Sequence, residues 1–467
     1  MAKVVGVQPT REDPAIAALS ETVGGPAGGH AGRHPWWTPL RVLLLITAIT
    51  FAAGMVQKSG CFKETWSGNE SRYVQMCYSD LPYLYTGRGF AELAWPYTDD
   101  TQTRDRYDVM EYPVGISYWA YGTAWVTHWL AGSPPLDPRY EATPDALWGV
   151  PGVQHEVRLF VVVNAVGFAA LALLASWLLV RARPSRPWDV ATFAAAPTLL
   201  FTGLINWDML AVACVAGALF AWSRGRPGWT GVLIGLGTAV KLYPLYLLGA
   251  VLVLCWRRRA WPQFGTAVLG AAVTWVVVNA PAYLGNPDAW KVFWSFNSQR
   301  TSDLGSIWLV LSQSLDLTIT AHTINAWSWA FFATWCLGVL LVGLLARRTP
   351  TLAELGFLIV AGFLLVNKVY SPQYVLWLLP LAVLARPRWR DQFIWQGCEL
   401  FYFAAVWWYL GGFLASPGGE APVYWIAIVV RLVGELYLVA VIVRSLLWPA
   451  GATESSPSRT SSSCSGR

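Results

Sequence analysis

The chain is 467 residues long, 55% of them hydrophobic and only 13% charged, and it carries 29 tryptophans. A soluble domain is nearer one quarter charged, so this balance excludes an ordinary cytosolic enzyme, a disordered chain and a secreted disulfide scaffold. The net charge of +6 is dispersed as short basic runs between apolar stretches, a pattern that orients a membrane protein and does not suggest nucleic acid as a partner.

In chain order, residues 1–38 are rich in Gly, Pro and small polar residues and read as a disordered cytosolic tail; 448–467 read as a second one. Between them, 39–447 read as one all-α polytopic transmembrane domain. The first span is expected over 39–57. Residues 58–155 follow as a large, acid-rich first extracytoplasmic loop, too long and polar for a simple turn. Within it, 113–131 are apolar enough to count as a crossing. Counting them would place the basic run at 181–188 outside, so they are read as an interfacial or re-entrant helix. Further spans are expected over 156–180, 190–204, 207–222, 229–240, 243–256, 264–284, 321–345, 352–369, 374–385, 393–414 and 423–447. Together these make about 12 transmembrane helices, at roughly 20 apolar residues per crossing, with both termini cytosolic.

Orientation rests on the arginine runs at 181–186, 224–226, 257–259, 347–348 and 386–390, since short cytoplasmic loops retain Lys and Arg. The polar breaks at 206–208, 241–244, 285–305 and 367–373 then all fall outside. Several intervening segments are short: 12 helical residues rise about 18 Å against a hydrocarbon thickness of about 30 Å. Lys241 is therefore expected below the outer surface, where a cation is costly and marks function by default. The ordinary alternative is a lysine snorkelling from a helix end.

Asp, Lys, Arg, Asn and aromatics gathered in one outward cavity have a chemical reading. An acceptor hydroxyl needs a carboxylate base, a phosphate leaving group needs a cation, and sugar rings stack on Trp and Tyr. The seven cysteines include no CxxC pair. No cofactor is expected, although Asp99, Asp100, Asp105 and Asp108 leave a divalent cation open, because hard cations favour clustered carboxylates. Cys61 and Cys77 would close a loop of 16 residues in an oxidising compartment, worth about 3 kcal/mol in the chain-entropy model.

The stretch Asp80-Leu81-Pro82-Tyr83-Leu84-Tyr85, followed by Tyr112-Pro113, resembles the first extracytoplasmic loop of glycosyltransferase family 87. Its members are membrane transferases of the C fold type, many of them actinobacterial mannosyltransferases that use a polyprenyl-phosphate sugar. Val240-Lys241-Leu242-Tyr243-Pro244 and Asn367-Lys368-Val369-Tyr370-Ser371-Pro372-Gln373-Tyr374 are also similar to segments of the eukaryotic transferases that add the first mannose to glycosylphosphatidylinositol. The resemblance spans roughly residues 39–445.

That resemblance implies that Asp80 is the general base, taking the proton of the acceptor hydroxyl while its oxygen attacks and inverts the anomeric carbon. Unlike glycoside hydrolysis, the reaction needs no second carboxylic acid, since a phosphate diester leaves without protonation. Lys241 would meet the leaving phosphate, with Arg300 as a second candidate. Tyr83, Arg88, Glu111, Tyr112, Asn206, Asp208, Tyr243, Asn297, Gln299, Lys368, Ser371, Gln373 and Tyr374 complete the implied substrate-binding set. The chain departs from the family pattern at Val114, where many members have Pro, and at Asn297-Ser298-Gln299-Arg300, where many read Asn-Gln-Ser. Gln373 and Tyr374 also stand where a histidine often follows Ser-Pro. These departures keep the reaction class and loosen the identity of sugar and acceptor.

Other readings stay open at this level. Asp80 is alternatively a loop residue paired with Arg88, and Glu111 is alternatively the base. Asn206 and Asp208 bind substrate or cap the helix expected to start at Trp207. Arg158 is a phosphate ligand or an interfacial anchor, and His155 and His322, similarly placed, read as structural. The expected protein is an integral membrane glycosyltransferase of the plasma membrane with its site facing outside. It would move a hexose, mannose first, from a polyprenyl-phosphate donor to a lipid or glycan acceptor. An arabinosyl or other polyprenyl-phosphate-sugar transferase is the nearest alternative. A lipid flippase or transporter is the alternative from another class, but no internal repeat of the kind such proteins carry is evident.

Overall fold

A computed structural model describes residues 36–62, 71–415 and 421–448 of the chain, so the expected tails fall almost wholly outside the described residues. Those described are helical, with no strand among them. Five helices are long and apolar enough to cross a membrane: α1 (Pro39–Lys58, continued by a tight turn to Cys61), α3 (Val153–Ala182), α7 (Trp261–Gly285), α9 (Ala321–Leu345) and α13 (Pro422–Leu447). The helix α2 (Val114–Leu130) lies between the first two of these in the chain. Shorter helices fill the remainder: α4 (Asp208–Ser223), α5 (Pro227–Val240), α6 (Leu247–Arg258), α8 (Pro287–Gln299), α10 (Leu352–Val366), α11 (Val375–Ala385) and the longer α12 (Trp389–Leu410).

Local chemistry sets many of the boundaries. Thr38, Asn286 and Thr320 accept hydrogen bonds from backbone N–H groups in the first turns of α1, α8 and α9. Thr351 and Glu354 form a reciprocal capping box on α10. Proline occupies the first turn of α1, α5, α7, α8 and α13, where its missing N–H costs nothing.

The expected crossing at 190–204 is not one helix. The chain there forms a tight turn over Pro187–Val190 and two separate helical turns, Ala191–Ala194 and Pro197–Thr202. Pro197 disfavours the helical region for the residue before it, and Ala196 is extended at ψ 119, which breaks the ladder. Helix α4 likewise begins at Asp208, one residue later than expected.

The short helices run between two kinds of end. Helix α4 finishes at Arg224 and α5 starts beyond Arg226, while α6 ends in the run Arg257 to Arg259 and α11 at Arg386. These basic ends lie together: Arg224 donates to the Arg181 carbonyl, Arg183 to that of Leu384, and Arg257 to that of Gly343. At their other ends α4 and α5 carry Asp208 and Lys241, and Lys241 lines a cavity that Asn367, at the end of α10, also reaches. A 16-residue helix such as α4 rises only about 24 Å, less than a bilayer hydrocarbon thickness of about 30 Å.

Close backbone packing makes room for this. Helix α5 lies so near α7 that a Cβ on Gly231 or Gly235 would collide with the carbonyls of Ala267 and Ala271, the small-residue contact by which helices pack in lipid. The segment 71–155 is clamped onto the start of α3 by a buried ionic staple. Glu156 accepts from Tyr85 Oη at 2.7 Å and Arg139 at 2.6 Å on one oxygen, and meets His128 Nδ1 at 3.2 Å on the other. Arg139 also donates to the Ala91 carbonyl. Cys61 and Cys77 are disulfide-bonded, tying the end of α1 to the residues just before Asp80.

Candidate active site

Asp80 is fixed from both sides of the chain. Its backbone N–H donates to the Ile205 carbonyl at 2.8 Å, and the neighbouring Ser79 hydroxyl to Leu204 at 2.7 Å, so the turn before Leu81–Gly87 is pinned to the turn before α4. That brings Asn206 to the carboxylate: its Nδ2 donates to Asp80 Oδ2 at 2.6 Å and to Tyr112 Oη at 2.8 Å, and Tyr112 Oη donates to the same carboxylate oxygen at 3.2 Å. Burial pushes the Asp80 carboxyl above the usual carboxylate range, against hydrogen bonds from Tyr78, Asn206 and Tyr112 and the charge of Lys241, which favour ionisation. Burial and the Asp80 charge push the Tyr78 and Tyr112 phenols up, keeping them protonated donors.

Lys241 stands where α5 ends and the chain turns extended, with 6% of its surface exposed. Its Nζ lies 4.6 Å from the centre of the Tyr112 ring and 3.7 Å from Asp208 Oδ2. Asp208 sits behind it, its other oxygen accepting from Trp377 Nε1 at 2.6 Å, and Oδ2 has no hydrogen-bond partner among the described residues. Tyr243, Trp377 and Tyr374 stack in succession with ring centres 4.6 and 4.0 Å apart. Tyr112 thus joins a carboxylate on one side to an ammonium on the other.

Both groups line a cavity of about 640 Å³. Beyond Lys241 its wall is apolar, with Tyr246, Phe332 and Phe363 packed at 4.9 to 5.7 Å between ring centres. Beside Asp80 the wall is a different aromatic group, Tyr73, Tyr78 and Trp407. Two loops close a further side. Arg300 pairs with Asp303, whose charge holds the guanidinium above its usual value despite burial. Lys368 donates to the carbonyls of Asn297 and Arg300 and to Asn325 Oδ1, and burial together with the Arg300 charge lowers its pKa. Gly305, at φ 71, lets the first loop pass so close to Tyr370 and Tyr402 that no side chain would fit.

The structure gathers most of the residues singled out from the sequence. Asp80, Glu111, Tyr112 and Asn206 line the cavity at one end, Lys241 and Tyr243 continue it, and Asn297, Arg300, Lys368, Ser371, Gln373 and Tyr374 complete the far wall. Four lie elsewhere. Tyr83 is buried beneath Tyr78, and Asp208 is behind Lys241. Gln299 is exposed, and Arg88 pairs with Glu111 at 3.1 Å instead of with Asp80. Asn206 spends its amide on Asp80 and Tyr112, and α4 starts without a side-chain cap, so capping does not account for either Asn206 or Asp208. Arg158, His155 and His322 are exposed and outside the cavity. Asp100 caps the short helix Thr101–Arg106, and no three metal-ligating side chains converge among the described residues. The sequence reading missed Tyr73, Tyr78, Trp407 and Asn325. Tyr78, two residues before Asp80, had a local signal; Trp407 had none.

This arrangement defines an all-helical membrane protein whose described residues gather a polar constellation between two aromatic walls. The family model described as glycosyltransferase family 87 matches residues 149–367, just under half of the chain, and this match supports membership in that family of membrane glycosyltransferases. The matched segment contains Asn206, Lys241 and Arg300, while Asp80 and Ser371 to Tyr374 lie outside it. No curated protein matches the chain.

Proposed function

We propose that the protein transfers a hexose, mannose first among the candidates, from a polyprenyl-phosphate donor to a lipid or glycan acceptor, with inversion, at the outer face of the plasma membrane. The observation that carries this reading is the pairing of Asp80 and Lys241 across the Tyr112 ring. Asp80, whose carboxyl burial raises while the hydrogen bonds of Tyr78, Asn206 and Tyr112 favour its ionised form, suits a base that accepts the acceptor's proton. Lys241, with Arg300 further along the wall, suits the charge that develops on a departing phosphate. The apolar wall of Tyr246, Phe332 and Phe363 beyond Lys241 suits the polyprenyl chain. The arginine runs at the opposite helix ends favour an outward cavity by the positive-inside bias, and twelve crossings in a C-type fold suit this topology.

The test is turnover of purified protein in nanodiscs with decaprenyl phosphomannose and an envelope lipid extract. A mannosylated product whose formation stops in Asp80→Asn supports the reading, and full activity in that variant removes Asp80 from the mechanism. Preference for decaprenyl phosphoarabinose in a competition assay would reassign the sugar. Movement of donor lipid across the bilayer without any glycosylated product would favour a flippase.

A further inference from the structure

A third group of buried charges stands apart from Asp80 and Lys241. Arg431, fully buried, lies nine residues along α13, about 14 Å from its start, inside a helix long enough to cross a membrane. It pairs with Glu435 one turn on at 3.0 Å, and its guanidinium lies 3.8 Å from the centre of the Tyr370 ring. The Tyr370 hydroxyl donates in turn to Glu399 of α12 at 2.9 Å, whose other oxygen accepts from Trp395 Nε1 at 3.2 Å. Charges at such a depth are costly, and a buried ion pair adds little over apolar packing, so stability alone does not account for Arg431. Its remaining contacts lead to the cavity. The guanidinium donates to the Gly305 carbonyl at 3.3 Å, and the Gly305 N–H donates to Tyr424 Oη at 2.8 Å. Tyr402 Oη donates to the Tyr370 carbonyl at 2.5 Å. The two loops held in this way are also knitted to each other, Tyr370 N–H to the Leu304 carbonyl at 2.7 Å and Asp303 N–H to the Lys368 carbonyl at 2.8 Å.

We propose that Arg431 is a positioning residue: through Gly305 and the Tyr370 ring it fixes the two loops, so that Arg300 is presented to the donor phosphate from a preset place. The proposal rests on the reading of the cavity as the site of a polyprenyl-phosphate donor. Arg431, Tyr370, Tyr402 and Tyr424 do not line the cavity, so they act through residues that do. Lys368 adds a further tie, since its ammonium is spent on the Asn297 and Arg300 carbonyls and on Asn325, which leaves Arg300 as the cation that this wall offers. An arginine on a free loop pays for ordering each time it grips an anion, and a loop already anchored from α12 and α13 is spared that cost.

The test measures binding of decaprenyl phosphate to the full chain in nanodiscs, together with hydrogen–deuterium exchange. Arg431→Met alone would strand Glu435 as an unpaired buried charge, so the informative variant joins Arg431→Met to Glu435→Met, an apolar pair of similar volume. Its Kd for decaprenyl phosphate should rise on the order of tenfold. The amides of 303–306 and 368–371 should exchange faster, while those of α12 and α13 keep their protection. Tyr402→Phe, which removes only the bond to the Tyr370 carbonyl, should move both readouts the same way by a smaller factor. Added to Arg300→Gln, the Arg431 and Glu435 changes should weaken binding little further, because they act through that residue; a purely structural role gives additive losses. Unchanged affinity in the paired variant, or losses that add to those of Arg300→Gln, overturns the positioning role. Wild-type protein that binds no decaprenyl phosphate would instead sink the donor reading, and exchange at the two loops would then decide alone whether Arg431 fixes them.

Discussion

Two buried ionic clusters touch the segment 71–155, one at the start of α3 and one where α4 starts and α5 ends, and they are built to opposite ends. In the staple, both Glu156 oxygens are engaged, by Tyr85, Arg139 and His128, and Arg139 also reaches the Ala91 carbonyl, leaving one guanidinium nitrogen without a hydrogen-bond partner among the described residues. In the site, Lys241 has a single carboxylate at 3.7 Å, and Asp208 Oδ2, the Tyr243 hydroxyl and Gln373 Oε1 have no hydrogen-bond partner among the described residues. Burial of polar groups is costly unless they are satisfied, so a cluster left open around a cavity of about 640 Å³ is prepared for something that arrives later. The closed cluster ties segment 71–155 to α3; the open one borders the cavity, and the catalytic reading predicts that it serves chemistry instead.

The sharpest way to break this contrast is to neutralise one carboxylate in each cluster. Asp80→Asn should lower turnover about 10² to 10⁴-fold, the usual worth of a positioned base, while its melting temperature stays with the wild type. The acid limb of kcat/KM in the wild-type enzyme should fall at a pH above the ~3.9 of a free aspartate, because burial raises Asp80 and the base must be deprotonated to work. Glu156→Ala should do the reverse. Removing one partner of a buried ion pair costs about 3–5 kcal/mol, so thermal unfolding followed by circular dichroism should move down markedly, with the fraction still folded keeping its substrate KM values. A Glu156 variant that melts like the wild type but is inactive would erase the distinction.

Lys241→Met comes next. If Lys241 meets developing phosphate charge, kcat should drop on the order of 10²-fold, the cost of losing one preorganised charge stabiliser. Melting should fall as well, because Asp208 is left buried without its cation and keeps only the hydrogen bond from Trp377, so kcat is compared per folded protein. A rise in donor KM alone, with kcat unchanged, would make Lys241 a ground-state anchor.

The same contrast explains what was legible in the sequence. Long apolar periods fixed α1, α3, α7, α9 and α13 within a few residues, because in lipid length and hydropathy decide. The region 190–204 was misread for a local reason: Pro197 acts on Ala196, and hydropathy averages over that effect. Site residues were legible where they sit in polar breaks of an apolar chain, as Asp80, Asn206, Lys241 and Lys368 do. Roles within the site were not, since Asp208 next to Asn206 lies behind Lys241 and Arg88 chooses Glu111, choices made by packing between distant segments. Trp407 was invisible for a related reason: among 29 tryptophans nothing in sequence separates a ring at a cavity from one facing lipid.

The smallest expected effect tests the joint between the two halves of the site. Tyr112→Phe keeps the ring under Lys241 and removes only the hydroxyl that donates to Asp80 Oδ2 at 3.2 Å and accepts from Asn206 at 2.8 Å. One hydrogen bond is worth about 1 kcal/mol, so turnover should fall only several-fold. The direction of the pH response carries more information. The lost bond favoured the ionised carboxylate, so its removal raises the Asp80 pKa further and moves the acid limb to higher pH. An acid limb that stays in place, or moves down, would mean that the titrating base is not Asp80. Glu111, which lines the same cavity and pairs with Arg88, would then be the carboxylate to replace next.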